Sequence, residues 1–136
     1  MIRRLQHRDY QNYLSLINQL TEVGNVSEEQ FNEFVNLQTD NSFTLVYEIG
    51  HRAVACVTVL IERKIAHSYS SIIHIEDVVT DVSFRGYGMS KKLIDFIIES
   101  AKGKCYKIIL DCAEHNVKFY EKLGFKQSQF QMRYDL

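Results

Sequence analysis

The sequence predicts an α+β fold: one central mixed β-sheet flanked by helices. Three observations carry this. Apolar residues switch along the chain between a period of two, which suits strands, and one near 3.6, which suits helices. The switches fall at glycines or polar clusters, in a chain with no proline to mark them. The length, 136 residues, suits one core and one domain spanning 1–136.

Met1–Leu5 is a first short strand. Tyr10, Tyr13, Leu14, Ile17 and Leu20 recur at helical spacing, with Gly24 just past the end. Ser27-Glu28-Glu29-Gln30 reads as a capping box, in which the hydroxyl accepts from an early helix N–H and Gln30 reaches back. Phe31, Phe34 and Val35 then give a second helix its apolar stripe. Polar Thr39-Asp40-Asn41-Ser42 ends that pattern. Phe43–Glu48 and Ala53–Ile61, joined at Gly50, form a hairpin. Ile72–Val82 is a further strand, carrying Glu76 and Asp77 in an otherwise apolar run. After the turn at Gly86 and Gly88, Leu93, Ile94, Ile97, Ile98 and Ala101 define an amphipathic helix that stops at Gly103. Lys107–Cys112 is a short strand. Asn116 is the expected N-cap of a helix containing Phe119, Tyr120 and Leu123, closed by Gly124. Phe130, Met132 and Tyr134 alternate with polar residues, giving a final strand. The predicted order is β-α-α-β-β-β-α-β-α-β.

Composition excludes several classes. The 16 Lys+Arg nearly cancel the 17 Asp+Glu, and no polybasic arm points to nucleic acid. No apolar run approaches the roughly 18 residues of a membrane helix, and the N-terminus lacks a signal peptide's apolar stretch. A cytoplasmic protein is expected. Cys56, Cys105 and Cys112 are odd in number and form no C-x-x-C pair, so packed thiols are expected. His7, His51, His67, His74 and His115 match no metal-ligand spacing, and no metal is expected.

The chemical content lies in the second half. A strand running into Gly86-Tyr87-Gly88 and then a helix presents backbone N–H groups with no helical acceptor, and the helix dipole adds to their pull on an anion. Arg85, Lys91 and Lys92 add charge there. The plainer reading is an ordinary strand-to-helix turn with solvated lysines. A Walker A loop and a Rossmann fingerprint both fail on spacing.

Two blocks carry a family. Arg85-Gly86-Tyr87-Gly88-Met89-Ser90 resembles the Q/R-x-x-G-x-G/A turn of the GNAT acetyltransferases. Asn116-Val117-Lys118-Phe119-Tyr120-Glu121-Lys122-Leu123-Gly124-Phe125 resembles their later block, in the right order and at the right separation. Ile61-Glu62-Arg63-Lys64-Ile65-Ala66-His67, His74-Ile75-Glu76-Asp77-Val78 and Cys105 to Cys112 are similar, more narrowly, to the glucosamine-6-phosphate N-acetyltransferases. The resemblance implies the GNAT acyl-CoA N-acyltransferase fold, acetyl-CoA as co-substrate, an amino-sugar phosphate as acceptor, a role in UDP-N-acetylglucosamine synthesis and a homodimer.

It also implies site residues. Val78, Val79 and Thr80 would face the pantetheine arm. Arg85, Gly86, Tyr87, Gly88, Met89, Ser90 and Lys91 would hold the pyrophosphate, with Asn116 also on the cofactor side. Thr21, Lys64, Ile65, Ala66, His67, Glu76, Asp77, Val78, Tyr106, Lys107 and Asp111 would line the acceptor site. Asp111 would orient or deprotonate the amine, Glu76 would bind sugar hydroxyls or share that role, and Tyr120 would serve as acid for the leaving thiolate. Plainer readings stand beside these: a bulge for Asp77, an ion pair with Lys107 for Asp111, core packing for Tyr120, a solvated strand end for Lys64 and His67, and a helix terminus for Thr21.

Two positions depart from the pattern. Ser90 stands where Gly or Ala is usual, and weakened donor binding is expected. Asp135 stands where the family carries a phosphate-gripping arginine, so either Arg133 substitutes or phosphate recognition is altered. The competing functions are acetylation of another small amine, and a degenerate domain that only binds acetyl-CoA.

Overall fold

The computed structural model describes residues 1–136. Strand β1 (Ile2–Arg4) leads through a 3-10 turn into helix α1 (Tyr10–Ile17), followed by α2 (Glu28–Asn36). Next come β2 (Ser42–Ile49), β3 (Arg52–Arg63), a short turn α3 (Ala66–Tyr69) and β4 (Ser71–Thr80). Helix α4 (Met89–Ala101), β5 (Cys105–Leu110) and α5 (Val117–Lys122) complete the order. The strands form one five-stranded sheet in the order β1-β2-β3-β4-β5. Neighbours are antiparallel except β4 and β5, which run parallel across the α4 crossover, so the sheet is mixed as predicted.

The predicted capping box is present. Ser27 Oγ accepts from Gln30 N–H at 3.1 Å, and Gln30 Oε1 accepts from Ser27 N–H at 2.9 Å. Three predicted features differ. Phe130, Met132 and Tyr134 form no strand; they are almost fully exposed, and no regular element follows α5. Alternation records a face that suits a sheet, but pairing needs a partner edge, and this segment pairs with none. Asn116 does not cap with its side chain: it is in right-handed helical geometry at the end of a 3-10 turn, Glu114–Asn116, through which the chain enters α5. Finally, β5 ends at Leu110, so Asp111 and Cys112 lie beyond the strand and are exposed rather than buried within it.

The sheet is covered on both faces. Leu93, Ile94, Ile97 and Ala101 of α4 pack on Leu45, Val57, Val59, Ile73 and Ile75, with Tyr120 and Leu123 at the margin. On the other face Tyr13, Leu16 and Phe31 pack on Val46, Cys56 and Val79. Central β3 is therefore buried from Ala53 to Val57, which explains its near-continuous apolar run. No helix is long and apolar enough to cross a membrane.

One polar cluster is built into this packing. Arg3 holds Asp9 in a fork, Nη1 to Oδ2 at 2.7 Å and Nη2 to Oδ1 at 2.8 Å, and also reaches Glu48. Asp9 is 2% exposed. Burial pushes its carboxyl up, but the Arg3 guanidinium and the Gln6 N–H outweigh burial and hold it below the usual range. Asp9→Ala is expected to destabilise the protein by about 3 kcal/mol in urea unfolding, because it strips a buried cation of one partner. A lowered native pKa means that Asp9 contributes stability above the ordinary carboxylate range and loses it as pH falls through the folded value. The gap between wild type and Asp9→Ala should therefore close in acid; a gap constant with pH would show that cavity formation, not charge, sets the loss.

Candidate active site

The site is organised along β4. Ile73 and Ile75 point into the α4 face, and strict alternation would drive Asp77 in after them. The chain avoids this with a bulge. Cys56 pairs with Val79 and Thr58 with Glu76, so Val57 alone stands opposite Asp77 and Val78. Asp77 adopts φ 51°, a left-handed value that Asp tolerates better than most residues. The phase shift puts Val78 against the α4 core and leaves Glu76 and Asp77 exposed. The bulge reading of Asp77 holds for its backbone: Cys56 Sγ donates to the Asp77 carbonyl at 3.4 Å.

The parallel pairing of β4 and β5 brings the third carboxylate alongside. The last paired residues are Ile75 and Leu110, and the next residues along are Glu76 and Asp111. Partial burial, then the charges of Asp77 and Asp111, push the Glu76 carboxyl above its ordinary value, and His74 opposes them. Asp111 accepts a hydrogen bond from Gln131 Nε2 at 2.8 Å rather than pairing with Lys107. Three carboxylates thus meet where β4 and β5 end their pairing. Such a cluster can accept a proton and accept hydrogen bonds from hydroxyls.

Toward the start of β4 a second group forms. His67 stacks on Tyr106 with ring centroids 3.9 Å apart, and Lys107 Nζ lies 5.7 Å from the same ring. His67, Ser68 and Tyr69 are all left-handed, so the α3 segment is strained backbone rather than a regular helix. Lys64 Nζ is 2.6 Å from Glu62 Oε1, and His74 Nε2 is 2.9 Å from Glu62 Oε2. The Lys64 and His74 partners hold the Glu62 carboxyl below its usual range. Ile65 and Ala66 are exposed between the two groups.

At the other end of β4 lies the glycine turn. Gly86 and Gly88 have φ 85° and 79°, values that favour glycine, and Gly88 precedes α4 with no side-chain cap. The first intrahelical bond of α4 runs from Lys92 N–H to the Gly88 carbonyl at 3.0 Å, leaving the N–H groups of Gly88 to Lys91 without helical acceptors. The Met89 side chain is buried in the core, so only its backbone is available. Arg85 Nε donates to the Thr80 carbonyl at 3.1 Å, and Thr80 Oγ1 lies 2.6 Å from Ser90 Oγ. Tyr87 and Lys91 are exposed, and Lys91 pairs with Asp95.

Tyr120 is half-buried, edge-on to Phe119 and Phe125. Burial, with a lesser contribution from Cys112, pushes its phenol up to about 12. The expected core packing and the expected availability of a proton are therefore compatible. Thr21 is exposed beyond α1, its N–H bonded to the Ile17 carbonyl at 3.0 Å. Arg133 pairs with Asp135 at 2.6 Å on the exposed tail. Neither joins the three groups above. Gln131 and Glu62 were not anticipated: one lies in the presumed last strand, and the other is an ordinary charged residue on β3.

Residues 3–125 match the family model for the acetyltransferase (GNAT) family. The chain is 36% identical to a glucosamine 6-phosphate N-acetyltransferase of Arabidopsis thaliana, covering 96% of this chain and 93% of that one. It is 34% identical to one of Trypanosoma brucei brucei, covering 99% and 95%. The crystal structure of the glucosamine-6-phosphate N-acetyltransferase from Arabidopsis thaliana superposes with a TM-score of 0.91 at 35% identity, covering 99% of this chain and 97% of that one.

Proposed function

The chain belongs to the GNAT acetyltransferase family, and from that premise we propose that it transfers the acetyl group of acetyl-CoA to the amine of D-glucosamine 6-phosphate. The products are N-acetyl-D-glucosamine 6-phosphate and CoA, which places the enzyme in UDP-N-acetylglucosamine synthesis. One observation carries the reading: β4 bears Glu76 and Asp77 at its bulge, lies beside Asp111, and leads at its far end to the glycine turn and the start of α4. In this reading donor and acceptor sites share one strand. The names of relatives at 36% and 34% identity support the same acceptor.

Acetyl transfer requires a neutral amine, because an ammonium has no lone pair. Glu76 and Asp111 take up the amine proton, directly or through water, and Asp77 adds to the negative field that draws the amine in. The amine attacks the thioester carbonyl. Backbone N–H groups at the bulge near Val78 donate to the developing oxyanion, each such donor being worth about 3 kcal/mol. The C–S bond breaks, and Tyr120 meets the thiolate. The pyrophosphate is held by the Gly86 to Lys91 turn. Much of the remaining rate comes from holding both substrates side by side. Direct transfer is part of the reading, since no histidine is spaced to activate Cys105 or Cys112 as a nucleophile.

The acceptor phosphate meets Lys64, His67 and Lys107 in this reading, with Tyr106 as the platform; Arg133, paired with Asp135 on the tail, is left out of it. A homodimer is part of the reading. It is supported by the apolar side chains of Phe130, Met132, Tyr134 and Leu136, each at least 89% exposed on one short segment. The test is thiol release with glucosamine 6-phosphate and glucosamine. The phosphorylated sugar should be preferred by at least about tenfold in kcat/KM, the size of one charge-assisted contact. Equal rates would remove phosphate recognition, as Asp135 in place of the family's arginine would favour, and leave an acetyltransferase for another small amine.

A further inference from the structure

His74 and Glu62 have no part in the steps above, yet the fold brings them together beside the carboxylates. His74 Nε2 lies 2.9 Å from Glu62 Oε2, while Glu62 Oε1 holds Lys64 Nζ at 2.6 Å. Lys64 and His74 keep the Glu62 carboxyl below its usual range, so it is an ionised acceptor with no proton to give. The proton in the contact is therefore on His74 Nε2. The ring is fixed in one orientation, and a change in its charge takes place at Nδ1.

Strand register places this ring next to the amine end of the site. Ile73 and Ile75 face α4, so His74 and Glu76, which alternate with them, share the opposite face of β4. His74 stands opposite Leu60 of β3 and level with Ile109 of β5, both apolar. Glu62 pairs with Ile72 on one side of His74 along the strand, and Glu76 pairs with Thr58 on the other. His74 thus lies between Glu62 and Glu76. The other charges that bear on Glu76 are negative: Asp77 next to it on β4 and Asp111 on β5. Tyr13 of α1 is buried, and burial pushes its phenol up, so it stays neutral. Lys64 is taken by Glu62, and Lys107 Nζ lies 5.7 Å from the Tyr106 ring. The cation set against the cluster is His74, which opposes the rise of the Glu76 carboxyl.

We propose that His74, held in place by Glu62, is a positioning residue for proton transfer: it is the counter-charge of the Glu76, Asp77 and Asp111 cluster and keeps Glu76 ionised, ready to take the amine proton. Three carboxylates close together favour retention of a proton by one of them, and a cation on the same strand face works against that. Glu62 supplies the tether, because a free imidazole would turn toward solvent. This rests on the acetyl-transfer reading above, in which Glu76 accepts the amine proton.

Carbon-13 NMR of the glutamate-labelled free enzyme reads the Glu76 carboxyl directly, its resonance being the one missing from Glu76→Gln. In His74→Gln the Glu76 midpoint is expected to rise by about half a pH unit, the effect of one charge roughly 7 Å away in a water-like surrounding. The rising limb of kcat/KM with glucosamine 6-phosphate should move the same way. His74→Lys keeps a cation at this position and holds the midpoint at or below the wild-type value. Glu62→Gln raises the midpoint by less, and adds nothing in the His74→Gln background, because the two act as one unit. An unchanged or lowered midpoint in His74→Gln overturns the proposal. An equal rise in His74→Lys also overturns it, since that marks lost packing rather than lost charge. Failure of the function reading is distinguishable: a wild-type enzyme that acetylates no amino sugar removes the role of Glu76 as base, while the titration still decides whether His74 sets its charge.

Discussion

Replacing Asp111 by Asn is expected to lower kcat by about a hundredfold, within the usual range for loss of acid–base catalysis, while the Kd for CoA stays nearly unchanged. The substitution keeps the side chain's shape, and the amide oxygen can still accept from Gln131 Nε2, so the fold has no reason to fail. What changes is charge beside Glu76. Partial burial, Asp77 and Asp111 together raise the Glu76 carboxyl, and Asp111→Asn removes one of these causes. The wild-type kcat/KM profile should rise with pH as Glu76 deprotonates, with its midpoint above the ordinary carboxylate range. In Asp111→Asn that limb should move to lower pH, since a carboxyl with fewer like charges nearby gives up its proton more readily. Glu76→Gln should abolish the limb. Unchanged turnover in Asp111→Asn would remove this residue from proton transfer. A limb that stays in place would mean that Glu76 is not the titrating group.

The parts of the fold legible in the sequence were those whose signals lie within a few residues of each other. The capping box at Ser27 and Gln30 needs only four residues, and the glycine turn needs two positive-φ positions next to an uncapped helix start. The apolar run of Ala53–Ile61 marked a strand, although its burial on both faces emerges only in the structure. The bulge at Asp77 left a trace as well, because a carboxylate sits where the period of two calls for a core residue. Signals that depend on distant partners were not legible. The alternation of Phe130, Met132 and Tyr134 marks a sheet-like face but does not specify an edge to join. Asn116 has a capping side chain, but the chain reaches α5 through a 3-10 turn that places this residue already in helical geometry. The contact of Thr80 with Ser90 spans a strand end, a turn and a helix start, so its geometry arises only when all three are in place.

Replacing Tyr120 by Phe tests how the thiolate leaves. The phenol is pushed up to about 12 by burial, so it stays protonated at neutral pH and always has a proton to offer. Offering it and giving it away differ in energy. A thiol has a pKa near 8.5, so full transfer from this phenol to a thiolate would be uphill by on the order of 5 kcal/mol. A hydrogen bond from the phenol O–H to the developing thiolate avoids that cost and is itself worth about 1.5–3 kcal/mol to a charged acceptor. The proton that finally neutralises the sulfur then comes from the amine by way of the carboxylates or water. Tyr120→Phe should therefore lower kcat by roughly ten- to a hundredfold, the loss of one charge-assisted hydrogen bond. The fold should survive, because the ring keeps its edge-on contacts with Phe119 and Phe125. The wild-type rate should show no falling limb from the phenol below about pH 11, given a group that titrates near 12. A limb near pH 9 that vanishes in Tyr120→Phe would mean full proton transfer from an acid much stronger than this environment produces. A variant as fast as wild type would return Tyr120 to the core alone.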